Sequence, residues 1–176
     1  MSAPVIVAMV VIALVLWALL WIPERMRTRS YTVTTVIHRH PDDVFSFVVD
    51  LPRSMPILTG GVIRGKLQQV GPGAHFTTDT VMGSVDFAER NEVVDFDPPR
   101  RFAWREAGFA NGTESIELAA AGDGTRVSHT YRAIEQYPNA VFGLSLAGPL
   151  ISWAGARDRR KSWARIKQEL ESGRSA

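Results

Sequence analysis

The stretch "VIHRHPDDVFSFVVD", residues 36–50, places two histidines, an arginine and two aspartates within six consecutive positions. Two readings compete. His38 and His40 stand at i,i+2, so they share one face of a strand. With an aspartate they make a partial metal-ligand set. In the other reading Pro41 has the fixed φ suited to a first helical position. Asp42 and Asp43 then fall in the first turn, where acids complement the helix dipole. Val44, Phe45, Phe47, Val48 and Leu51 follow at helical spacing. Pro41, Asp42 and Asp43 thus already have a structural role, and no third histidine is near. The stretch is read as a strand end and a helix start, with no metal site.

Upstream, "SYTVTTVIHRH" (30–40) alternates and is rich in β-branched residues, which predicts a strand. Downstream, Pro52 and Pro56 turn the chain into a loop or a short helical turn. A run of strands follows. "GVIRGKLQQV" (61–70) ends at Gly71-Pro72-Gly73, and "AHFTTDTVM" (74–82) at Gly83-Ser84. "VDFAERNEVVDF" (85–96) ends at Asp97-Pro98-Pro99, and "RRFAWREA" (100–107) near Gly108. "GTESIELAAA" (112–121) and "TRVSHTYRAI" (125–134) flank Gly122-Asp123-Gly124. Tight turns at this spacing predict an antiparallel meander. Residues 139–172 predict helix interrupted near Gly148-Pro149, with Trp163, Ile166 and Leu170 spaced to pack on a sheet. The fold class is therefore α+β: about six or seven antiparallel strands wrapped around a long C-terminal helix.

Residues 3–22, "APVIVAMVVIALVLWALLWI", contain no charged side chain. A 20-residue helix spans roughly 30 Å, the thickness of a hydrocarbon core. A signal peptide normally has basic residues before a shorter apolar core and a small-residue cleavage site after it. Neither is present here. Arg25, Arg27 and Arg29 follow the run, and Trp17 and Trp21 sit near its end, as at a membrane interface. The expectation is a retained single-pass anchor in the cell membrane with the C-terminal domain cytoplasmic. The chain divides into an anchor (1–23), a basic linker (24–30), a folded domain (31–172) and a tail (173–176).

The 176 residues are 45% hydrophobic and 22% charged, as in a folded protein, and include no cysteine. Disulfides, thiolate metal sites and a cysteine nucleophile are excluded. Residues 157–174 hold seven basic and three acidic side chains, whereas 31–156 hold ten basic and fourteen acidic. No basic stripe crosses the body, which argues against nucleic acid. Basic ends suit an anionic leaflet. There is no phosphate-binding loop, dinucleotide fingerprint, G-x-S-x-G or H-E-x-x-H, so no cofactor is expected.

Four motifs stand in a familiar order: "HPDDVFSFVVDLPRSMP" (40–56), "VGPGAHF" (70–76), "EVVDFDPPRRFAWR" (92–105) and "GDGTRVSHTY" (122–131). With them the chain resembles the START-like, polyketide cyclase/dehydrase superfamily of helix-grip proteins over residues 31–172. The resemblance implies an apolar cavity between sheet and helix. Members of that superfamily include aromatase/cyclases, lipid carriers, ubiquinone-binding proteins and co-chaperones, so function does not follow from fold alone.

Val127, His129, Tyr131 and Ala133 share one face of the last strand. In such a fold that face looks at the cavity, where an imidazole and a phenol orient a ligand or exchange protons. Phe102 and Trp104 alternate with Arg101, Ala103 and Arg105 and face inward as core or cavity wall. Phe76, Ile116 and Leu118 are the remaining apolar candidates for ligand contact. Glu114 shares a face with Ile116 and Leu118. It is expected at an exposed strand end, and its burial would instead mark a site. Asp79 is treated in the same way. Residues 140–156 are uncharged and precede Arg157, Arg159, Arg160 and Lys161. They read as buried against the sheet or as a lid touching the bilayer.

Three functions are weighed. The leading one is membrane-anchored, non-catalytic binding of a lipid, polyketide or quinone. The second is a cyclase or dehydratase using His129 or Tyr131. The third is a protein-interaction module with a collapsed cavity.

Overall fold

Alternating apolar residues between positions 28 and 135 form seven strands of one antiparallel sheet. The computed structural model describes residues 3–20, 28–65, 70–82, 85–108, 110–135 and 148–173. An N-terminal helix α1 (Ala3–Leu20) precedes β1 (Thr28–Ile37), α2 (Pro41–Val49) and α3 (Leu51–Leu58). The strands β2 (Val62–Arg64), β3 (His75–Met82), β4 (Val85–Asp97), β5 (Arg101–Ala107), β6 (Ala110–Ala121) and β7 (Gly124–Glu135) follow, then α4 (Gly148–Glu171). The strand order is β1-β7-β6-β5-β4-β3-β2. Each strand from β2 to β7 pairs with the next, and β1 closes against β7.

The opening stretch is the corner where β1 meets α2. His40 precedes the helix, its Nδ1 3.4 Å from the Asp42 backbone N and 2.8 Å from Asp42 Oδ2. His38 Nδ1 instead meets Asp123 Oδ1 at 3.1 Å, so the two rings serve different partners. Among the described residues no three histidine or carboxylate side chains are grouped as metal ligands. Helix α2 buries Val44, Phe45, Phe47 and Val48, each worth roughly 1.5–3 kcal/mol relative to exposure.

Helix α3 is a full helix of eight residues despite its two prolines. Pro52 sits in the first turn, where its missing N–H is not needed. Helix α4 is described from Gly148 onward, and residues 139–147, where helix is expected ahead of Gly148-Pro149, lie outside the described residues. The helix packs along β1 and α3 and buries Ala156, Arg159, Trp163 and Ile166. The register of β4 against β5 shifts between Val93 and Asp95. The extra residue, Val94, is exposed, and such a bulge bends a strand.

The expected strand at 61–70 is three residues long as described, and residues 66–69 lie outside the described set. Helix α1 comprises 18 residues, about 27 Å at 1.5 Å per residue. No helix among the described residues is long and apolar enough to cross a membrane. The expected transmembrane helix is therefore not found in the described structure. Trp21, Arg25 and Arg27 lie outside the described residues, as does 140–147 of the expected lid, and the side chain of Trp17 is not described.

Candidate functional site

The register places inward-facing residues in rows that run across the sheet. One row reads Val33, His129, Ile116, Phe102. The next reads Tyr31, Tyr131, Glu114, Trp104, Val93. The third reads Arg29, Ala133, Gly112, Glu106, Asn91, Phe76. The inner face therefore turns from apolar to polar along its length, and α4 crosses over the change.

Four buried polar side chains meet there. His129 is fully buried and Glu114 is 1% exposed. Trp163 Nε1 of α4 donates to His129 Nδ1 at 3.0 Å. That bond makes Nδ1 an acceptor, so the proton of the neutral ring is on Nε2, which donates to Glu114 Oε2 at 2.8 Å. Arg159 of α4 donates from Nη2 to Glu114 Oε1 at 2.7 Å. It also donates to Tyr31 Oη at 3.3 and 3.4 Å and, through Nη1, to the Leu58 carbonyl at the end of α3. One charged chain thus ties together sheet, α3 and α4.

Burial alone would raise the Glu114 carboxyl, but Arg159 and then His129 outweigh it and hold the group below its ordinary value. Burial likewise lowers the basicity of His129 against the pull of Glu114, so its imidazole stays neutral. Burial also opposes the charge on Arg159, and Glu114 and Tyr31 more than restore it.

Beside this chain lies a cavity of about 580 Å³. Tyr31, Glu89, Glu106, Glu114, Tyr131 and Thr80 of the sheet line one side, and Ile57 and Leu58 of α3 with Ser152, Gly155 and Lys161 of α4 line the other. Glu106 is buried, with Oε1 accepting from Trp104 Nε1 at 3.3 Å. Desolvation first, then Glu114 and Glu89, push its pKa up to about 8. Glu89 is raised in the same way. Tyr131 is also held well above the usual phenol range, by burial and by these carboxylates, and its ring stacks on Tyr31 at 5.2 Å. The Thr80 hydroxyl is buried with no hydrogen-bond partner among the described residues.

Two glycines make room. A Cβ on Gly112 would come within 3.2 Å of Glu106 Oε2, and one on Gly155 within 2.8 Å of Tyr31 Cε1.

Of the expected ligand residues, only Tyr131 and Glu114 line this cavity. Trp104, Phe102, Phe76, Ile116 and Leu118 belong to the solid core. They close the apolar end of the grip, and His129 stands behind Glu114, held between it and Trp163. Glu114 is not at an exposed strand end, because β6 continues beyond it to Ala110 in the middle of the sheet. Asp79 pairs with Arg64 at 2.7 Å near the surface. Arg159, expected at a membrane surface, is 7% exposed and points inward to Glu114. Arg157, Arg160 and Lys161 are exposed as expected, while Arg29 is partly buried at the cavity wall.

Sequence reasoning passed over Tyr31, Glu89 and Glu106, and placed Arg159 at a membrane surface instead. Glu106 carried a signal, since it shares its strand face with Phe102 and Trp104, both read as inward. Arg159 carried one too: it lies four residues before Trp163, on the same helix face.

A family model described as "Polyketide cyclase / dehydrase and lipid transport" matches residues 28–171. No curated protein is similar enough in sequence to be matched. Among solved structures, the chain is similar to the Zhui aromatase/cyclase from Streptomyces sp. R1128. The TM-score is 0.62 at 11% identity, covering 85% of this chain and 99% of that one. It is similar to the di-domain aromatase/cyclase StfQ of the steffimycin biosynthetic pathway, at TM-score 0.64 and 12% identity, covering 85% and 52%. A protein from Thermus thermophilus gives 0.63 at 15% identity, covering 83% and 99%. At these identities the likeness establishes the shared fold.

Proposed function

Because the chain belongs to the polyketide cyclase/dehydrase and lipid-transport family, we propose that it binds one small organic molecule in the cavity beside Glu114. The observation that carries this is the cavity itself. Its volume of about 580 Å³ falls within the range of about 300–1,000 Å³ that suits small-molecule sites, and its polar groups converge on one wall. That volume also weighs against a collapsed-cavity interaction module.

The wall chemistry narrows the ligand. Glu89, Glu106 and Glu114 face the space, and the donors of Arg159 are committed to Glu114, Tyr31 and Leu58. Arg29, Lys161 and Arg165 also line the space, so its wall carries groups of both signs. A neutral oxygenated head finds a protonated Glu106, the Tyr131 hydroxyl and the unsatisfied Thr80 hydroxyl. The proposed ligand is a neutral lipid, polyketide or quinone with carbonyl or hydroxyl groups at one end.

The molecule is tethered in this reading. Residues 1–23 form a single-pass anchor and 24–30 a basic linker, with the domain on the cytoplasmic face of the cell membrane. Supporting this, α1 exposes Val5, Val7, Met9, Val10, Val11, Ile12 and Val15, which lie all round a helix. A helix apolar on every side needs an apolar surrounding. The sequence run to residue 22 is long enough for a hydrocarbon core.

Native mass spectrometry of the full chain, released from detergent and followed by extraction, tests the binding. A co-purifying neutral lipophile is expected. An empty protein that also fails to take up quinone or polyketide probes would refute it.

A second reading has one observation in its favour. Glu106 is a buried carboxyl whose pKa of about 8 suits proton exchange near neutrality. In a cyclase-type reaction Glu106 and Tyr131, rather than His129, would be the acid–base pair. Glu106→Gln separates the two: product formation lost with ligand still bound indicates catalysis.

A further inference from the structure

The two ends of this domain differ in a way that the cavity does not require. At the end where β1 begins, Thr28 pairs with Ile134, and the Ser30 backbone N–H reaches Ser152 Oγ of α4 at 3.4 Å. The chain arriving from α1 therefore enters the sheet beside the first turns of α4. Those turns carry Leu150 at 64% and Trp153 at 58% exposure, matched among the described residues of the folded domain by Val62 at 60%. Arg157 lies over the Trp153 ring at 5.9 Å, and Arg160 and Lys161 are exposed on the next turn. The same segment, through Ser152, Gly155 and Lys161, forms the cavity rim. At the opposite end, the β6–β7 turn shows only small or polar residues: Ala120, Gly122 and Asp123.

We propose that the first turns of α4 are a membrane-docking face that seats the cavity rim on an anionic leaflet. This rests on the anchored reading above. Three things on the same surface select a bilayer as the occupant. Leu150 and Trp153 supply an aliphatic wedge and an indole, which favours the lipid interface. Arg157, Arg160 and Lys161 supply cations against one acid, Asp158, which Lys161 already engages at 3.0 Å. Each such cation raises partitioning roughly five-fold at an anionic surface. The proximity of Ser30 to Ser152 puts this wedge at the point where the tether delivers the domain. A ligand then moves between leaflet and cavity past Ser152 and Gly155 without crossing bulk water.

The chain has no cysteine, so single labelling sites are clean. Full chains carrying Trp153→Cys or Ala120→Cys are labelled with an environment-sensitive fluorophore. They are reconstituted into vesicles of phosphatidylcholine with about 25% phosphatidylglycerol, enough to give an anionic surface, with and without brominated chains. The expected result is emission shifted to the blue and quenched by bromine at position 153, with neither at 120. Arg157→Glu with Arg160→Glu should reduce that quenching several-fold, as should vesicles without phosphatidylglycerol. Flotation of the same samples reports anchoring separately. Vesicles that float with the chain while the position 153 label stays in water overturn the docking and leave the anchor standing. A chain that does not float overturns both. Shielding of the label in detergent without lipid, rising with protein concentration, indicates a second copy of the chain on this face and also overturns the proposal.

Discussion

Arg159→Met should be among the most destabilising single substitutions in the domain, because it leaves the Glu114 carboxylate buried without its principal partner. Glu114 is 1% exposed and accepts one bond each from Arg159 and His129. Removing one member of a buried pair costs about 3–5 kcal/mol. With a urea m-value of about 1–3 kcal/mol/M, the midpoint should fall by about 2 M. Tryptophan fluorescence of the full chain in detergent reads this directly, since Trp163 is bonded to His129 and Trp104 lies beside it.

The pH dependence gives the more specific signature. In the parent protein Glu114 is held below its ordinary value. Its contribution is therefore present above about pH 4.3, the ordinary glutamate value, and is lost as the pH falls through the folded pKa. In Arg159→Met, burial is no longer outweighed and the Glu114 pKa rises. The folded variant then favours the protonated acid and recovers stability as the pH falls. The gap between variant and parent should be widest near neutral pH and narrow as the solution is acidified toward the ordinary glutamate value. Adding Glu114→Gln to Arg159→Met should recover about 2 kcal/mol or more, a non-additivity expected of one network. A gap under about 1 kcal/mol that does not change with pH would refute the buried-charge reasoning.

Glu106 has the opposite sign. Its pKa of about 8 means that the folded state retains a proton that the unfolded chain releases above about pH 4.3. Stability should fall as the pH rises through that window, and Glu106→Gln should remove the slope, gaining on the order of 4 kcal/mol over the parent between about pH 5 and about pH 9. Urea midpoints at both pH values check this. Trp163→Phe deletes the donor to His129 Nδ1 and leaves a buried acceptor, which should cost about 1–3 kcal/mol. In the parent, ¹⁵N-resolved spectra should show His129 as the neutral Nε2–H tautomer at about pH 6, near the ordinary histidine value, and a protonated ring there would contradict the network. Gly155→Ala should lose about 1 kcal/mol net. Its methyl group meets the Tyr31 ring at 2.8 Å, a clash of about 1–3 kcal/mol that outweighs the helix-propensity gain of about 1 kcal/mol. Thermal unfolding of the variant tests that balance.

The fold was legible because its punctuation is local. Pro41 with Asp42 and Asp43 starts α2 whatever surrounds it, since the fixed φ and the helix dipole act within one turn. Gly122, at φ +62°, makes the β6–β7 turn without help from distant residues. Alternation told which face of β7 is inward, so the burial of Val127, His129 and Ala133 could be read from the chain. The candidate site was legible only in fragments. His129, Tyr131 and Glu114 could be named as inward or suspect, but their roles depend on what stands opposite them. Whether Glu114 is a charged anchor or a solvated strand residue depends on Arg159, 45 positions away on another element. The partners of Glu106 were equally invisible, since Glu89 and Glu114 reach it across neighbouring strands. Turn formation, helix starts and strand phase are short-range properties of the backbone, and the sequence alone determined them here. The burial of a charge, its pKa and the place of the cavity are set by side chains brought together from β1, β3, β4, β5, β6, β7, α3 and α4, and tertiary packing decided those.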